Sequence, residues 1–81
     1  MLQTNPQIVA LTPQERALLR ALEANRGRVM PRGQLLAQVF GYPADTQTRT
    51  LDVHIQHLRH KLAGTGAEIQ TVFRVGYRLA G

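Results

Sequence analysis

A chain of 81 residues has room for one small domain with a modest core and is too short for two domains. Ten Lys and Arg against five Asp and Glu give a net charge of +5, which favours a polyanionic partner, nucleic acid ahead of an anionic membrane surface. No Cys is present, so disulfides, thiolate catalysis and cysteine metal sites are excluded.

The chain opens with an irregular lead-in, residues 1–7, and a short β-favouring run over residues 8–11. A helix start follows, because Thr12 and Glu15 have the spacing of a capping box and Pro13 takes the first helical position, where no N–H is needed. The pattern predicts a first helix over residues 13–25. Its expected buried face consists of Ala17, Leu18, Leu19, Ala21 and Leu22.

Two weaker elements come next. Residues 28–30 precede Pro31, which favours an extended conformation and a brief strand. A second apolar stripe predicts a second helix that ends at Gly41, and it comprises Leu35, Leu36, Val39 and Phe40. Residues 41–47 form a connecting loop, in which Asp45 or Thr46 is the candidate cap of the next helix.

Residues 48–62 predict a two-faced third helix. One face is apolar at spacings of four, three and four residues, through Leu51, Ile55, Leu58 and Leu62. The opposite face holds cations, imidazoles, an amide and one small apolar residue, namely Arg49, Val53, Gln56, His57 and His60. Because no carboxylate balances that face, it predicts a polyanion partner, with double-stranded DNA as the leading candidate.

The C-terminal part predicts a β-hairpin. Residues 68–72 and 76–79 favour strands around a basic tip, Phe73-Arg74-Val75. Three helices followed by a hairpin indicate an α+β winged helix-turn-helix domain over residues 8–81. In such a domain the third helix fits the major groove of about 12 Å, and the wing reaches the minor groove or the phosphates.

Several blocks of residues resemble the C-terminal effector domain of OmpR/PhoB-type response regulators. They are Leu11-Thr12-Pro13-Gln14-Glu15, Thr48-Arg49-Thr50-Leu51-Asp52-Val53-His54-Ile55 and Val75-Gly76-Tyr77-Arg78-Leu79, in order and at the family's spacing. The resemblance implies sequence-specific DNA binding and transcription regulation under a phosphorylated receiver domain. It also implies a homodimer on promoter direct repeats, with the free protein a monomer.

The chain departs from the family at its two ends. The family opens with a four-stranded antiparallel sheet, of which only the last strand, residues 8–11, is expected here, so that sheet is reduced or truncated. The family's wing tip reads T-V-R-G, whereas this chain has Thr71-Val72-Phe73-Arg74, which shifts the minor-groove arginine by one residue.

The face analysis and the resemblance together assign the contacts. Predicted base contacts are Arg49, Thr50, Val53, Gln56 and His57. Predicted phosphate contacts are His54, Arg59, His60, Lys61, Thr71, Arg74 and Arg78. Asp52 is expected to pair with Arg49, and Tyr77 and Phe40 are expected to lie in the core.

Other functions are weighed beside DNA binding. The loop residues Gly41, Tyr42, Pro43, Ala44, Asp45, Thr46 and Gln47 form the alternative surface, which would meet RNA polymerase or a second copy of the chain. His54, His57 and His60 spread over a third of the helix circumference without a convergent carboxylate, so no metal site is expected, and no cofactor or enzymatic arrangement is found. The chain has no apolar run for a membrane and no secretion signal, so the cytoplasm is the expected compartment.

Overall fold

The computed structural model describes residues 10–81, which form three helices and a three-stranded antiparallel sheet. In chain order the elements are α1 (Pro13–Ala24), β1 (Met30–Pro31), α2 (Arg32–Leu35) continued by a π-helical segment (Leu36–Phe40), α3 (Thr50–Leu62), β2 (Glu68–Val72) and β3 (Gly76–Ala80). The α+β winged-helix prediction is confirmed. The predicted lead-in, residues 1–7, and the first two residues of the predicted strand 8–11 lie outside the described residues, and Ala10 and Leu11 belong to no strand.

The start of α1 has the predicted capping box. Thr12 Oγ1 accepts a hydrogen bond from the Glu15 N–H at 3.1 Å, and Glu15 Oε1 accepts one from the Thr12 N–H at 2.9 Å. A cap of this kind stabilises a helix by about 1 kcal/mol. The helix ends at Ala24, one residue before the predicted end, and buries Leu18 and Leu22 completely.

The second helix differs from the prediction, since its α-helical part spans only four residues before the wider π-helical segment. Pro31 stands at its N-cap position and makes no side-chain cap. The Gln14 side chain donates to the Val39 carbonyl oxygen at 2.7 Å, so α1 provides a partner for a carbonyl near the segment's end. A Cβ at Gly33 would lie 2.6 Å from the Ala44 carbonyl oxygen, so only glycine lets the following loop approach this closely.

The third helix begins at Thr50, two residues after the start of the predicted stretch. The prediction that Asp45 or Thr46 caps this helix is wrong. Thr48 Oγ1 instead accepts a hydrogen bond from the Thr50 N–H at 3.2 Å, because its hydroxyl lies within reach across the intervening bend. The predicted apolar stripe is confirmed, and each of its four residues is buried: Leu51, Ile55, Leu58 and Leu62.

The sheet has the strand order β1-β3-β2. The hairpin has the predicted strands, with β3 one residue longer, and Ile69 pairs with Leu79. The brief strand predicted at residues 28–30 lies at Met30–Pro31 and pairs with the other edge of β3. A Cβ at Gly76 would collide with the Met30 carbonyl oxygen, so this glycine permits β1 to pair.

One core joins all these elements. It comprises Leu11, Leu18, Leu22, Met30, Leu35, Leu36, Leu51, Ile55, Leu58, Leu62, Ile69, Tyr77 and Leu79. Tyr77 is therefore a core residue as predicted, while Phe40 is half-buried and packs against the core from outside. Because four of the core residues belong to α3, burial of its apolar face fixes which side of the helix meets solvent.

Candidate nucleic-acid interface

The side of α3 opposite the core faces solvent. Its five residues, called the recognition face below, are all exposed: Arg49, Val53, Gln56, His57 and His60. Val53 remains 47% exposed although its side chain is apolar. The face contains no carboxylate. It therefore combines positive charge and hydrogen-bonding groups with one apolar side chain, that of Val53.

Thr50 and His54 lie at the flank of α3 and are half-buried. The Thr50 hydroxyl is 2.9 Å from that of Thr48. His54 Nδ1 donates to the Thr50 carbonyl oxygen at 2.8 Å, and its ring meets Phe40 edge-on, with 5.0 Å between centroids. With the proton held at Nδ1, the neutral ring offers only an acceptor at Nε2, so a contact to phosphate requires the protonated imidazolium.

Arg59 joins α3 to the wing. Its Nε donates to the Ile69 carbonyl oxygen at 3.0 Å and one terminal nitrogen donates to Thr71 Oγ1 at 2.6 Å. The other terminal nitrogen donates to Gln56 Oε1 at 3.0 Å, and the guanidinium lies 5.8 Å from the centroid of the Tyr77 ring. The predicted phosphate contact Arg59 therefore braces the helix against β2 and orients the Gln56 amide.

Lys61 lies on the side of α3 that faces α1. Its ammonium is 2.6 Å from Glu15 Oε1 and 3.3 Å from the Ala10 carbonyl oxygen. Burial alone would raise the pKa of Glu15, which is only 3% exposed, but hydrogen bonds from Lys61 and from the Thr12 backbone outweigh it and lower the pKa. Lys61, predicted to meet phosphate, thus serves as the partner of a buried carboxylate.

Asp52 does not pair directly with Arg49 as expected. Its Oδ2 accepts from the Arg32 guanidinium at 2.7 Å and its Oδ1 accepts from the Tyr77 hydroxyl at 2.6 Å. Burial would raise the pKa of Asp52, but these hydrogen bonds and the charges of Arg32 and Arg49 lower it. Burial and the hydrogen bond to Asp52 raise the pKa of Tyr77 to about 12.

Arg32 connects three parts of the interface that the sequence left separate. Its guanidinium donates to the Thr48 carbonyl oxygen as well as to Asp52, and its backbone N–H donates to the Val75 carbonyl oxygen at 3.0 Å. The end of the connecting loop, the first turn of α3 and the wing turn are therefore held by one residue. Asp52 is the only carboxylate in α3. This is the one signal in the sequence that indicates a cationic partner for Asp52.

The wing tip is a three-residue turn. The Val75 N–H donates to the Val72 carbonyl oxygen at 2.9 Å, and Arg74 has a left-handed backbone with φ of 65°. This conformation costs a non-glycine residue roughly 1–2 kcal/mol. Phe73 is 79% exposed, and the Arg74 guanidinium lies over its ring, 5.2 Å from the centroid. Arg74 thus occupies the position where the family's T-V-R-G block has glycine.

Two other predicted phosphate contacts lie on the wing strands. Thr71 is exposed and already accepts a hydrogen bond from Arg59. Arg78 is half-buried and donates twice to Gln70 Oε1, at 2.9 and 2.7 Å, across the hairpin. The two strands of the wing are therefore tied together by side chains as well as by their backbone ladder.

The connecting loop forms a second exposed surface. Of the seven residues predicted as a partner surface, only Thr46 is half-buried, and its N–H donates to the Pro43 carbonyl oxygen at 3.0 Å. The Tyr42 ring stacks on Phe40 with 6.0 Å between centroids. A surface cleft of about 680 Å³ separates the loop from α3 and is lined by Arg32, Gly33, Ala44, Asp45, Thr46, Gln47, Thr48, Arg49 and Asp52.

Two further predictions concern metals and membranes. Among residues 10–81, no group of three or more His, Cys, Asp or Glu side chains is placed to hold a metal ion. None of the helices described here is both long and apolar enough to traverse a lipid bilayer.

Comparison with known proteins gives one consistent family. Residues 5–79 match the family model described as transcriptional regulatory protein, C terminal. The chain is 42% identical over 71 residues to the response regulator PmrA of Pseudomonas aeruginosa, covering 88% of this chain and 31% of PmrA. It is 44% identical over 75 residues to the transcriptional regulatory protein VxrB of Vibrio cholerae, covering 93% of this chain and 30% of VxrB.

The similarity extends to solved structures. The DNA-binding domain of Klebsiella pneumoniae RstA, solved in complex with the RstA box, superposes with a TM-score of 0.77 at 35% identity, covering 88% of this chain and 73% of that one. The chain spans about a third of the length of the curated relatives it matches. With its winged-helix fold and its match over residues 5–79, the chain belongs to the family of C-terminal domains of OmpR/PhoB-type transcriptional regulators.

Proposed function

We propose that this domain binds double-stranded DNA with sequence specificity and regulates transcription as the effector part of a two-component response regulator. The observation that carries the proposal is the recognition face, exposed, free of carboxylates and braced against a basic hairpin. The 13-residue helix α3 is about 20 Å long, which suits the major groove. The similarity to the DNA-binding domain of RstA supports the same role.

Base reading falls to the centre of the recognition face. Val53 suits the methyl group of thymine, and His57 donates or accepts according to its protonation. Because Gln56 Oε1 accepts from Arg59, the NH₂ group of Gln56 is the part we assign to a base, as a donor to acceptors such as N7 of a purine or O6 of guanine. Arg49 and Thr50 stand at the entrance of the groove.

Phosphate contacts supply affinity without sequence information. Arg74 is exposed at the wing tip and is our principal candidate, together with the predicted His54, His60 and Thr71. The guanidinium groups of Arg59 and Arg78 and the ammonium group of Lys61 already donate to side-chain or carbonyl oxygens of the protein, so we place these three residues behind the contact surface as braces.

The first test is DNA binding itself. A duplex selected from a random pool should bind the 81-residue chain more tightly than a scrambled duplex, and binding should weaken between two salt concentrations. Arg20→Ala, on the exposed face of α1, is the matched control and should bind as the unmutated chain does. Equal binding to both duplexes, or binding without salt sensitivity, would contradict the proposal.

The second test separates base from phosphate contacts. His57→Ala should relax preference at one base pair by about 1–3 kcal/mol, whereas Arg74→Ala should weaken all sequences alike and reduce the salt slope by about one. Both variants are compared on a library in which each position of the selected site is randomised. A uniform loss of affinity in both would show that His57 reads no base.

A second candidate function is docking of a protein partner, RNA polymerase, on the connecting loop. The observation that favours it is the exposed surface of residues 41–45, in which the Tyr42 ring stacks on Phe40 at one end and Ala44 lies against Gly33 at the other. Tyr42→Ala should leave DNA affinity unchanged and lower promoter output in a reconstituted transcription assay. A loss of DNA affinity in this variant would remove the distinction between the two surfaces.

We also propose that two copies bind promoter direct repeats as a homodimer while the free chain is a monomer. This arrangement is the one that the resemblance to OmpR/PhoB-type regulators implies. Sedimentation should give one chain per particle without DNA and two chains per duplex with a repeated site. A dimer in the absence of DNA would contradict the proposal.

A further inference from the structure

The wing tip presents the most exposed of the large apolar side chains in the part of the chain that the structure describes. Phe73 is 79% exposed, against 49% for Val75 and 47% for Val53. A single exposed apolar residue is ordinary on a protein surface. Phe73 differs because the guanidinium of Arg74 lies over its ring. The backbone of Arg74 is in the left-handed region, which a glycine would occupy without strain. The tip therefore keeps a large side chain, Arg74, at a position whose backbone suits glycine, and that side chain lies over the exposed Phe73 ring.

The wing tip belongs to the hairpin that Arg59 joins to the recognition face. Arg59 hydrogen bonds to Gln56 on that face and to Thr71 on β2, so the two surfaces adjoin. Phe73 is two residues beyond Thr71, about 7 Å farther along the hairpin. With α3 in the major groove, a hairpin of this reach crosses one phosphate backbone and ends over the neighbouring minor groove.

Charge identifies the partner of this tip as DNA. Residues 69–81 contain Arg74 and Arg78 and no Asp or Glu. An exposed aromatic ring on a segment that carries cations and no carboxylate suits a groove whose walls are phosphates. A second copy of the chain, which itself carries a charge of +5, is repelled from such a tip.

We propose that Phe73 enters the minor groove as an apolar wedge and partly unstacks one base step, while Arg74 contacts the flanking phosphates. The proposal rests on the DNA binding proposed above and deepens it. Pyrimidine–purine steps unstack most easily, so selected sites carry a TA or CA/TG step under the wing although no hydrogen bond reads it. Phe73 thus determines specificity through DNA deformability and bends the duplex towards the major groove.

The test uses the 81-residue chain and a duplex selected by the unmutated chain from a random pool. A 2-aminopurine probe at each position beneath the wing reports unstacking, and dyes at the duplex ends report bending by energy transfer. The unmutated chain should raise probe fluorescence at one step and shorten the end-to-end distance. Phe73→Ala should abolish both signals and weaken binding on the order of tenfold, while Phe73→Trp retains them. Val75→Ala, at the same tip, is the control and should keep both signals.

The salt dependence separates the wedge from a charge effect. Phe73→Ala removes no charge and should keep the salt slope, whereas Arg74→Ala should reduce it by about one. Unchanged thermal unfolding of both variants would show that the fold is intact. The proposal is overturned if Phe73→Ala keeps the unstacking signal, or binds within about twofold of Val75→Ala. If no duplex is selected at all, the proposed function fails together with the wedge. If Phe73→Ala only abolishes self-association, the tip binds a second copy instead.

Discussion

Lys61 is a cation of α3 that pairs with a buried carboxylate of α1. The charge of Lys61 balances Glu15, a carboxylate 3% exposed that also closes the capping box of α1. Removing one partner of a buried pair leaves the other charge uncompensated, and this loss exceeds what the pair itself contributes. The same residue type on the recognition face would instead remain available to a phosphate.

We therefore expect Lys61→Ala to reduce the free energy of unfolding by about 1–3 kcal/mol at neutral pH, because the Glu15 carboxylate loses its charged donor. Urea unfolding measures this change. The salt slope of DNA binding should stay that of the unmutated chain, as in the exposed control Arg20→Ala. A slope reduced by about one with unchanged stability would restore Lys61 to the phosphate contacts.

The pH dependence of the free energy of unfolding follows from Glu15, the partner of Lys61. The pKa of Glu15 is lowered in the folded chain from its usual 4.5, so its stabilising contribution is present above that pH and is lost as pH falls through the folded value. Asp52, whose pKa is also lowered, adds to the loss at lower pH. The melting temperature should thus fall steeply below about pH 4.5.

Glu15→Gln should have a lower melting temperature at pH 7, but that temperature should decrease less as the pH is lowered. Glu23→Gln, exposed on α1, should behave as the unmutated chain does. Equal acid declines in the unmutated chain and in Glu15→Gln would contradict the assignment.

At the scale of elements, α3 packs on its neighbours through an apolar stripe and is held by a polar contact at its N-terminal end. The stripe runs the length of the helix through Leu51, Ile55, Leu58 and Leu62, and the polar end is Asp52, held by Arg32 and by the Tyr77 hydroxyl. Apolar packing tolerates small shifts, whereas two hydrogen bonds at 2.6–2.7 Å fix an orientation. Asp52 therefore sets the angle at which the first turn of α3 leaves the sheet.

Tyr77→Phe tests this polar end, because it keeps the ring in the core and removes only the hydroxyl. We expect a loss of about 1–2 kcal/mol in the free energy of unfolding and a weaker affinity for every DNA sequence alike. Tyr42→Phe, on the exposed loop, is the control.

Because the pKa of Tyr77 is raised from 10.0 to about 12, the contribution of its protonated form is present below pH 10 and is lost as pH rises towards 12. Absorbance titration of the Tyr42→Phe chain should therefore show a phenol that ionises near 12, and ionisation near 10 in the folded chain would contradict the hydrogen bond.

What the sequence predicts well is local and periodic. The stripe of α3, its exposed face, the capping box and the hairpin follow from spacings of two to four residues, and the structure confirms them. Partners far apart in sequence were missed: Asp52 was assigned to Arg49, three residues away, instead of Arg32, 20 residues away. The phosphate contacts stay predictions, but Arg59, Lys61 and Arg78 turned out to have protein partners that no helical period encodes.

At the scale of the whole molecule, the recognition face, the wing and the connecting loop form one connected unit. Arg59 joins the first two, and Arg32 joins all three through Asp52, Val75 and Thr48. We expect a unit of this kind to meet DNA without further ordering of its parts, which reduces the entropic cost of association. It also means that a change at one surface reaches the others through Arg32.

Arg32→Ala should therefore affect all three surfaces although its side chain lies outside the recognition face. Asp52 keeps only the Tyr77 hydroxyl, so we expect the free energy of unfolding to fall by about 1–3 kcal/mol. Amide hydrogens of residues 44–48 should exchange faster, since the Thr48 carbonyl loses its anchor. DNA affinity should fall by roughly tenfold for every sequence, with the base preference set by His57 retained. Gln34→Ala, exposed on the same helix, should change none of these quantities. Faster exchange confined to the loop, with DNA affinity intact, would show that the loop and the DNA-binding surfaces are independent.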